Sequence, residues 1–228
     1  GCLLQANDLP HELSGFSWTD LCQGHHRSYE TINMTGADKN PSLRSDPMQI
    51  ARLLKNETGE QKLPPIHLWN PEFCGDIDME IKRNGQWFYM GTPIGRPALV
   101  KLFSSVMRRE ADDAYYLVTP VEKVRIRVED APFIITLAER IEREGNVFVQ
   151  LTTQTGDVVV ASTEHPISLT YRQDEPHPCV HIRDRLHALI GRNAYYQLIE
   201  WGTPRTGDDG QQELVLTSAG ASFVIGHF

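Results

Sequence analysis

Three acidic side chains, Asp76, Asp78 and Glu80, recur at every second position and alternate with Ile77, Met79 and Ile81. Residues two apart on a strand share a face, so three carboxylates would point the same way. Such a set can hold a divalent cation through oxygen ligands, and a metal-activated water would make the protein a hydrolase. The plainer alternative is the wetted face of a half-buried strand. His177, Cys179 and His181 alternate in the same way and offer donors that zinc accepts. No fourth ligand is visible and Pro176 and Pro178 interrupt the run, so no metal is assigned. The pair His25-His26 reads as exposed. No serine or cysteine stands in a recognisable nucleophile motif. The residues name neither a catalytic set nor a cofactor, and they point to binding ahead of turnover.

A different chemistry is offered by Gly91-Thr92-Pro93-Ile94-Gly95-Arg96, which leads from a strand into a helix opening at Pro97. Unpaired N–H groups and the dipole at a helix N-terminus favour an anion. Gly95 permits close approach, and Arg96 supplies a planar fork for a phosphate or carboxylate. The Lys-Ser/Thr ending of a Walker loop is missing. The alternative is a tight structural turn with Arg96 paired to Glu122 or Asp130. If a ligand binds here, Asp76, Asp78 or Glu122 would orient Arg96 or read polar groups of the ligand. Arg183 would close from the other side, with Arg192 as a further basic contribution. Trp69, Trp87, Phe88, Tyr89, Tyr115 and Tyr116 include candidates for stacking on a base, although aromatic residues on strands usually serve the core.

These side chains need elements to position them. Ser45-Asp46-Pro47 is a helix start, with the helix fading near Asn56 and a linker over 57–65. The alternation around Ile77 predicts a strand, Asn84-Gly85 a type I′ hairpin, and residues 86–90 the return strand. Leu99, Leu102, Phe103, Val106 and Met107 give the next helix its apolar face. Strand-like runs follow at 115–119 and 121–128. From Pro132 onward, residues 133–142, 147–153 and 158–162 read as an antiparallel meander. A strand near 180–183 follows, then a short helix carrying Leu186, Leu189 and Ile190 that Gly191 can end. A segment at 195–201 and strands at 213–217 and 221–228 close the chain.

The two halves share an order of parts. Thr92-Pro93-Ile94, a Leu-rich helix and Tyr115-Tyr116-Leu117-Val118 face His165-Pro166-Ile167, a second Leu-rich helix and Tyr195-Tyr196-Gln197-Leu198. Either a duplication or a chance likeness accounts for this. A duplication would set equivalent loops across a cleft, where ligand sites are common. The fold class expected is α+β in two small domains, 45–131 and 132–228, with residues 1–44 a disordered or upstream extension.

The chain of 228 residues has a net charge of -8, from 22 basic and 30 acidic residues. That balance argues against non-specific binding to nucleic acid or anionic membranes. No run approaches the ~18 apolar residues of a membrane span, and no signal peptide is recognisable. Cys2, Cys22, Cys74 and Cys179 form no C-x-x-C pair, which fits reduced thiols in a cytoplasmic protein.

The ordered run Cys74-Gly75-Asp76-Ile77-Asp78, Gly91–Arg96, Thr119-Pro120-Val121-Glu122 and Val128-Glu129-Asp130-Ala131-Pro132-Phe133 resembles a bacterial family known only as domain of unknown function 1285. The resemblance covers about residues 45–228. It implies a duplicated core of two α+β domains, the second similar to pleckstrin-homology folds and mainly antiparallel with a short helix. It also implies a site for a nucleotide-like ligand at the domain interface and a role in signal transduction. Two other expectations stay open beside that one: the metal-dependent hydrolase, and a protein docking module built on the pleckstrin-like half.

Overall fold

In a computed structural model that describes residues 63–207 and 210–228, the alternating run becomes strand β1 (Phe73–Ile81). Met79 and Ile81 are buried, while Asp76 and Asp78 are exposed. Strand β2 (Trp87–Tyr89) returns beside it, followed by the short β3 (Thr92–Pro93) and helix α1 (Pro97–Ser105). Then come β4 (Met107–Arg109), β5 (Tyr115–Val118) and β6 (Lys123–Val128). They form one six-stranded sheet in the order β3-β2-β1-β6-β5-β4, with β1 and β6 parallel. Helix α1 covers the face of Trp87, on which the Phe103 ring stacks at 6.1 Å. Val106 and Met107, expected on the helix face, are buried beyond its last turn, and Met107 opens β4. The expected helix near residues 47–56 lies outside the described residues, as does the extension before it.

The second half supplies β7 (Phe133–Arg143), β8 (Asn146–Thr153), β9 (Val158–Val160), β10 (Ile167–Arg172), β11 (Glu175–Arg183) and β12 (Leu186–Ile190). Their order is β10-β11-β12-β7-β8-β9, and β7 and β12 are parallel. Numbered from its own first strand and read from the β9 edge, this order is 3-2-1-6-5-4. The first sheet has the same order. The halves therefore repeat one topology, two three-stranded meanders joined through a parallel pair of their first and last strands.

The register of the repeat differs from the one expected. Thr92-Pro93 is the third strand of its sheet, whereas Pro166-Ile167 leads into the fourth strand of the other. The counterpart of α1 is a loop between β9 and β10. The Leu186–Ile190 run, expected as a helix, is a strand: Leu186, Ala188 and Ile190 are buried at period two, and the leucines three apart fall on opposite faces. Residues 195–198, matched to the strand at 115–118, belong to helix α2 (Arg192–Trp201), which buries Ala194, Tyr195 and Leu198. Gly191 is the N-cap of that helix and ends no other, and a glycine fits there because a Cβ would lie 2.7 Å from the Ile135 carbonyl oxygen of β7.

The turns also differ from those expected. Asn84 does not adopt positive φ, although Gly85 does, which excludes a type I′ turn at that pair. The backbone has positive φ at both central residues in Met90-Gly91, Glu144-Gly145, Gln173-Asp174 and Ala219-Gly220, which join consecutive hairpin strands.

A three-stranded sheet, β13 (Thr203–Thr206), β14 (Gln212–Ser218) and β15 (Ala221–His227), completes the fold. One of the sheets curls into a half-barrel. Strand β14 lies against β8 and β15 against β10, with α2 packed on β7, β14 and β15. The molecule is thus mostly β with two α-helices among the described residues. Buried residues of both halves, from Ile66 to Ile225, form a single hydrophobic cluster.

Candidate functional site

The N-terminus of α1 keeps the character that its residues imply. Arg96 is the N-cap, in extended backbone, and its side chain makes no capping bond. Its carbonyl oxygen accepts from the N–H groups of Leu99 and Val100. Thr92, Gly95 and Arg96 are exposed. The guanidinium meets neither Glu122 nor Asp130, so the expected structural pairing is absent. Among the described residues, Arg96, Arg143 and Arg192 are the arginines whose side chains form no hydrogen bond or ion pair. Two of these three sit at helix N-termini, Arg96 on α1 and Arg192 as the first residue of α2.

The carboxylates of β1 do not join them. Asp76, Asp78 and Glu80 lie on the face of β1 opposite the one that α1 covers. Each is matched by a cation: Arg125 donates to both oxygens of Asp76 at 2.6 and 2.9 Å, Arg127 to Asp78 at 2.6 Å, and Lys82 pairs with Glu80 at 2.9 Å. The Arg125 hydrogen bonds hold the Asp76 carboxyl below its ordinary range. The pairs with Arg125 and Arg127 are cross-strand pairs of opposite charge between β1 and β6, the usual dressing of a wet sheet face, and Lys82 follows Glu80 along the same chain segment. No group of three His, Cys, Asp or Glu able to hold a metal ion stands together among the described residues, which corrects the converging metal site.

Glu122 belongs to the β5–β6 turn, where its N–H donates to Thr119 Oγ1 at 3.0 Å. One of its carboxylate oxygens is buried with no hydrogen-bond partner. Arg183 stands at the other end of α1 from Arg96. It donates to the Ser104 carbonyl oxygen at 2.6 Å and to Asp157 Oδ1 at 3.3 Å, and its guanidinium lies 5.1 Å from the Phe133 ring centroid. Arg185 reaches the Glu110 carbonyl oxygen at 2.6 Å and Asp113 at 2.8 Å. The β11–β12 turn thus grips the α1–β4 region of the first half. The eight candidate ligand residues do not share one cleft: Thr92, Gly95 and Arg96 group together, while Asp76, Asp78, Glu122, Arg183 and Arg192 are elsewhere or otherwise engaged.

A constellation that the sequence reading did not assemble lies at the junction of the halves. Asp130, in the β6–β7 link, is 4% exposed at its side chain and takes Arg172 Nη1 at 2.5 Å. His177 Nε2 donates to the same Oδ1 at 2.9 Å. That bond leaves the other ring nitrogen as an acceptor, and His177 Nδ1 stands 3.5 Å from Cys179 Sγ. Burial, with the Asp130 charge adding to it, pushes the Cys179 thiol up to about 11. The spacing of His177 and Cys179 did signal a shared face, but their partner lies 47 residues from His177 in sequence. His181, the third member of that run, faces the carbonyl oxygens of Glu164 and Asp184 instead.

Fold and site together define a two-part, mostly β protein whose halves repeat a meander topology and lock together through paired charges. The chain belongs to the DUF1285 family. The model of its N-terminal domain, a domain of unknown function, matches residues 64–131. That of its C-terminal domain, described as a protein of unknown function, matches residues 132–225. The crystal structure of a DUF1285 family protein from Silicibacter pomeroyi DSS-3 shares 44% identity, covering 78% of this chain and 93% of that one, with a TM-score of 0.66. A second, from Shewanella baltica OS155, shares 30% identity over 54% of this chain and 91% of that one, with a TM-score of 0.44. No curated protein matches the chain. No helix among the described residues is long and apolar enough to cross a membrane.

Proposed function

We propose that this protein is a binding module and not a catalyst, and that its ligand is a small anion, nucleotide-like in chemistry, taken at the N-terminus of α1. One observation carries this reading: Arg96 is an exposed arginine with no partner at the positive end of a helix dipole. A cation there is disfavoured by ~0.3–1 kcal/mol. Most arginines of the described residues are matched to carboxylates or carbonyl oxygens, so the exception marks a place where an outside anion would relieve a local conflict. Helix α1 also gives binding a route to the second half, because Arg183 holds the Ser104 carbonyl oxygen at its far end. That connection favours a sensory role in signal transduction over simple storage.

The test is calorimetric titration with a panel of nucleotides, comparing the wild type with Arg96→Ala. A ligand that binds the wild type and loses about tenfold or more with Arg96→Ala supports the site, since a charge-assisted contact contributes ~1.5–3 kcal/mol. Absence of any binding, or equal binding by both proteins, removes it. We also read the second half as pleckstrin-homology-like, on the support of its mainly antiparallel sheet and the helix packed against it. A superposition in which its strands fail to follow the order of pleckstrin-homology domains would overturn that comparison.

A further inference from the structure

We propose that Cys179 is a peroxide-reactive thiol, with His177 as its proton acceptor and Asp130 as the group that positions His177. The three side chains stand in the order nucleophile, base, orienter. Cys179 Sγ is 3.5 Å from His177 Nδ1, and His177 Nε2 is 2.9 Å from Asp130 Oδ1. Because a carboxylate only accepts, the proton of the neutral ring sits on Nε2, which leaves the Nδ1 lone pair facing the sulfur. This is the arrangement by which a base activates a thiol. His177 and Cys179 keep it because they are two apart on β11, and Asp130 is fixed from the other side by Arg172.

Burial holds an isolated thiol at this position protonated, and a protonated thiol is inert. Reaction therefore needs a base that removes the proton as the sulfur attacks. In the step proposed, the Cys179 S–H proton passes to His177 Nδ1 while sulfur bonds to one oxygen of hydrogen peroxide. The O–O bond breaks, and the departing hydroxide takes the proton back from Nδ1 to leave as water. Sulfur is oxidised by two electrons to a sulfenic acid, and the peroxide is reduced by the same two. The Arg172 guanidinium favours the anionic sulfur, against the larger opposing effects of burial and the Asp130 charge.

Cys74 provides an internal comparator. It is a free, exposed cysteine whose Sγ donates to the Glu72 carbonyl oxygen at 3.4 Å. The full chain is treated with hydrogen peroxide, sulfenic acid is trapped with dimedone, and each cysteine peptide is followed by mass spectrometry. Cys179 is expected to label about tenfold or more faster than Cys74 despite its lesser exposure. His177→Gln is expected to slow Cys179 by about 10²-fold, the usual contribution of a positioned base, and to leave Cys74 unchanged. Asp130→Asn is expected to slow it as well and Asp130→Glu to retain most of the rate, a distinction that loss of fold would not produce. Labelling of Cys74 ahead of Cys179, or an unchanged Cys179 rate in His177→Gln, overturns the proposal. If His177→Gln does not fold, the wild-type ratio of the two cysteines decides alone.

Discussion

Charged side chains in this molecule divide by burial more than by type. Asp130 is almost wholly enclosed and holds Arg172 and His177, so Asp130→Ala strands the Nε2 donor of His177 at a site where that ring is 12% exposed. The expected cost is about 2 kcal/mol, within the range for a buried donor left without a partner, read from urea denaturation. Asp76→Ala, whose pair with Arg125 is open to water, is expected to leave the same midpoint unchanged. Glu110 gives a pH signature. Burial works against its carboxylate, but hydrogen bonds from Arg108 and Lys123 outweigh it and hold its pKa below 4.5. That stabilisation is present above the unfolded value and is lost as pH falls through the lower folded value. Urea midpoints from about pH 6 to pH 3 should therefore fall less steeply in Glu110→Gln than in the wild type. Arg96 was legible in the sequence as a helix-terminal cation because the signal is local. The link of Asp130 to His177 was not, since nothing in either neighbourhood encodes contact between residues so far apart in the chain.

Elements were readable where their period was unambiguous. Asp76 to Ile81 alternates cleanly and forms β1, and the meander of β7, β8 and β9 was also visible. Leu186-His187-Ala188-Leu189-Ile190 satisfies both periods, since its leucines fit a helix and its buried Leu186, Ala188 and Ile190 fit a strand. Pairing with β7 and β11 decided for the strand, a tertiary effect that propensity does not contain. The hairpin turns follow the same logic. Glu144 takes φ of 52° in a two-residue turn with Gly145, a conformation that asparagine tolerates better. Glu144→Asn is expected to raise stability by roughly 0.5 kcal/mol, a part of the ~1–2 kcal/mol that the left-handed region costs most residues, seen as a higher thermal midpoint. Gly85→Ala should do the opposite. Its φ is +80°, and a Cβ there would lie 2.8 Å from Ile134 Cγ1 of the other half, so a loss of about 2 kcal/mol from crowding is expected in the same assay.

At the scale of the molecule, the halves repeat a topology yet share their interior. One cluster of buried residues contains Met79 and Trp87 of the first sheet and Phe133 and Leu186 of the second. Arg183 and Arg185 carry the junction further with bonds into α1 and the β4–β5 hairpin. Unfolding should consequently be a single transition, with tryptophan fluorescence and far-ultraviolet circular dichroism coinciding; separated midpoints would show independent domains. The register of the repeat could not be read in the sequence, because strands as short as Thr92–Pro93 leave little pattern to align. The parallel pairing of β1 with β6 has a mechanical consequence. The chain enters the first half at one end of this pair and leaves at the opposite end, so tension between entry and exit pulls the two strands along their length in opposite directions. Their hydrogen bonds then bear load together, in shear, and cannot be peeled apart one by one. Stretched in a single-molecule instrument, this half should resist to a higher rupture force than a hairpin of equal length opened from its ends, and the same geometry recurs in β7 and β12.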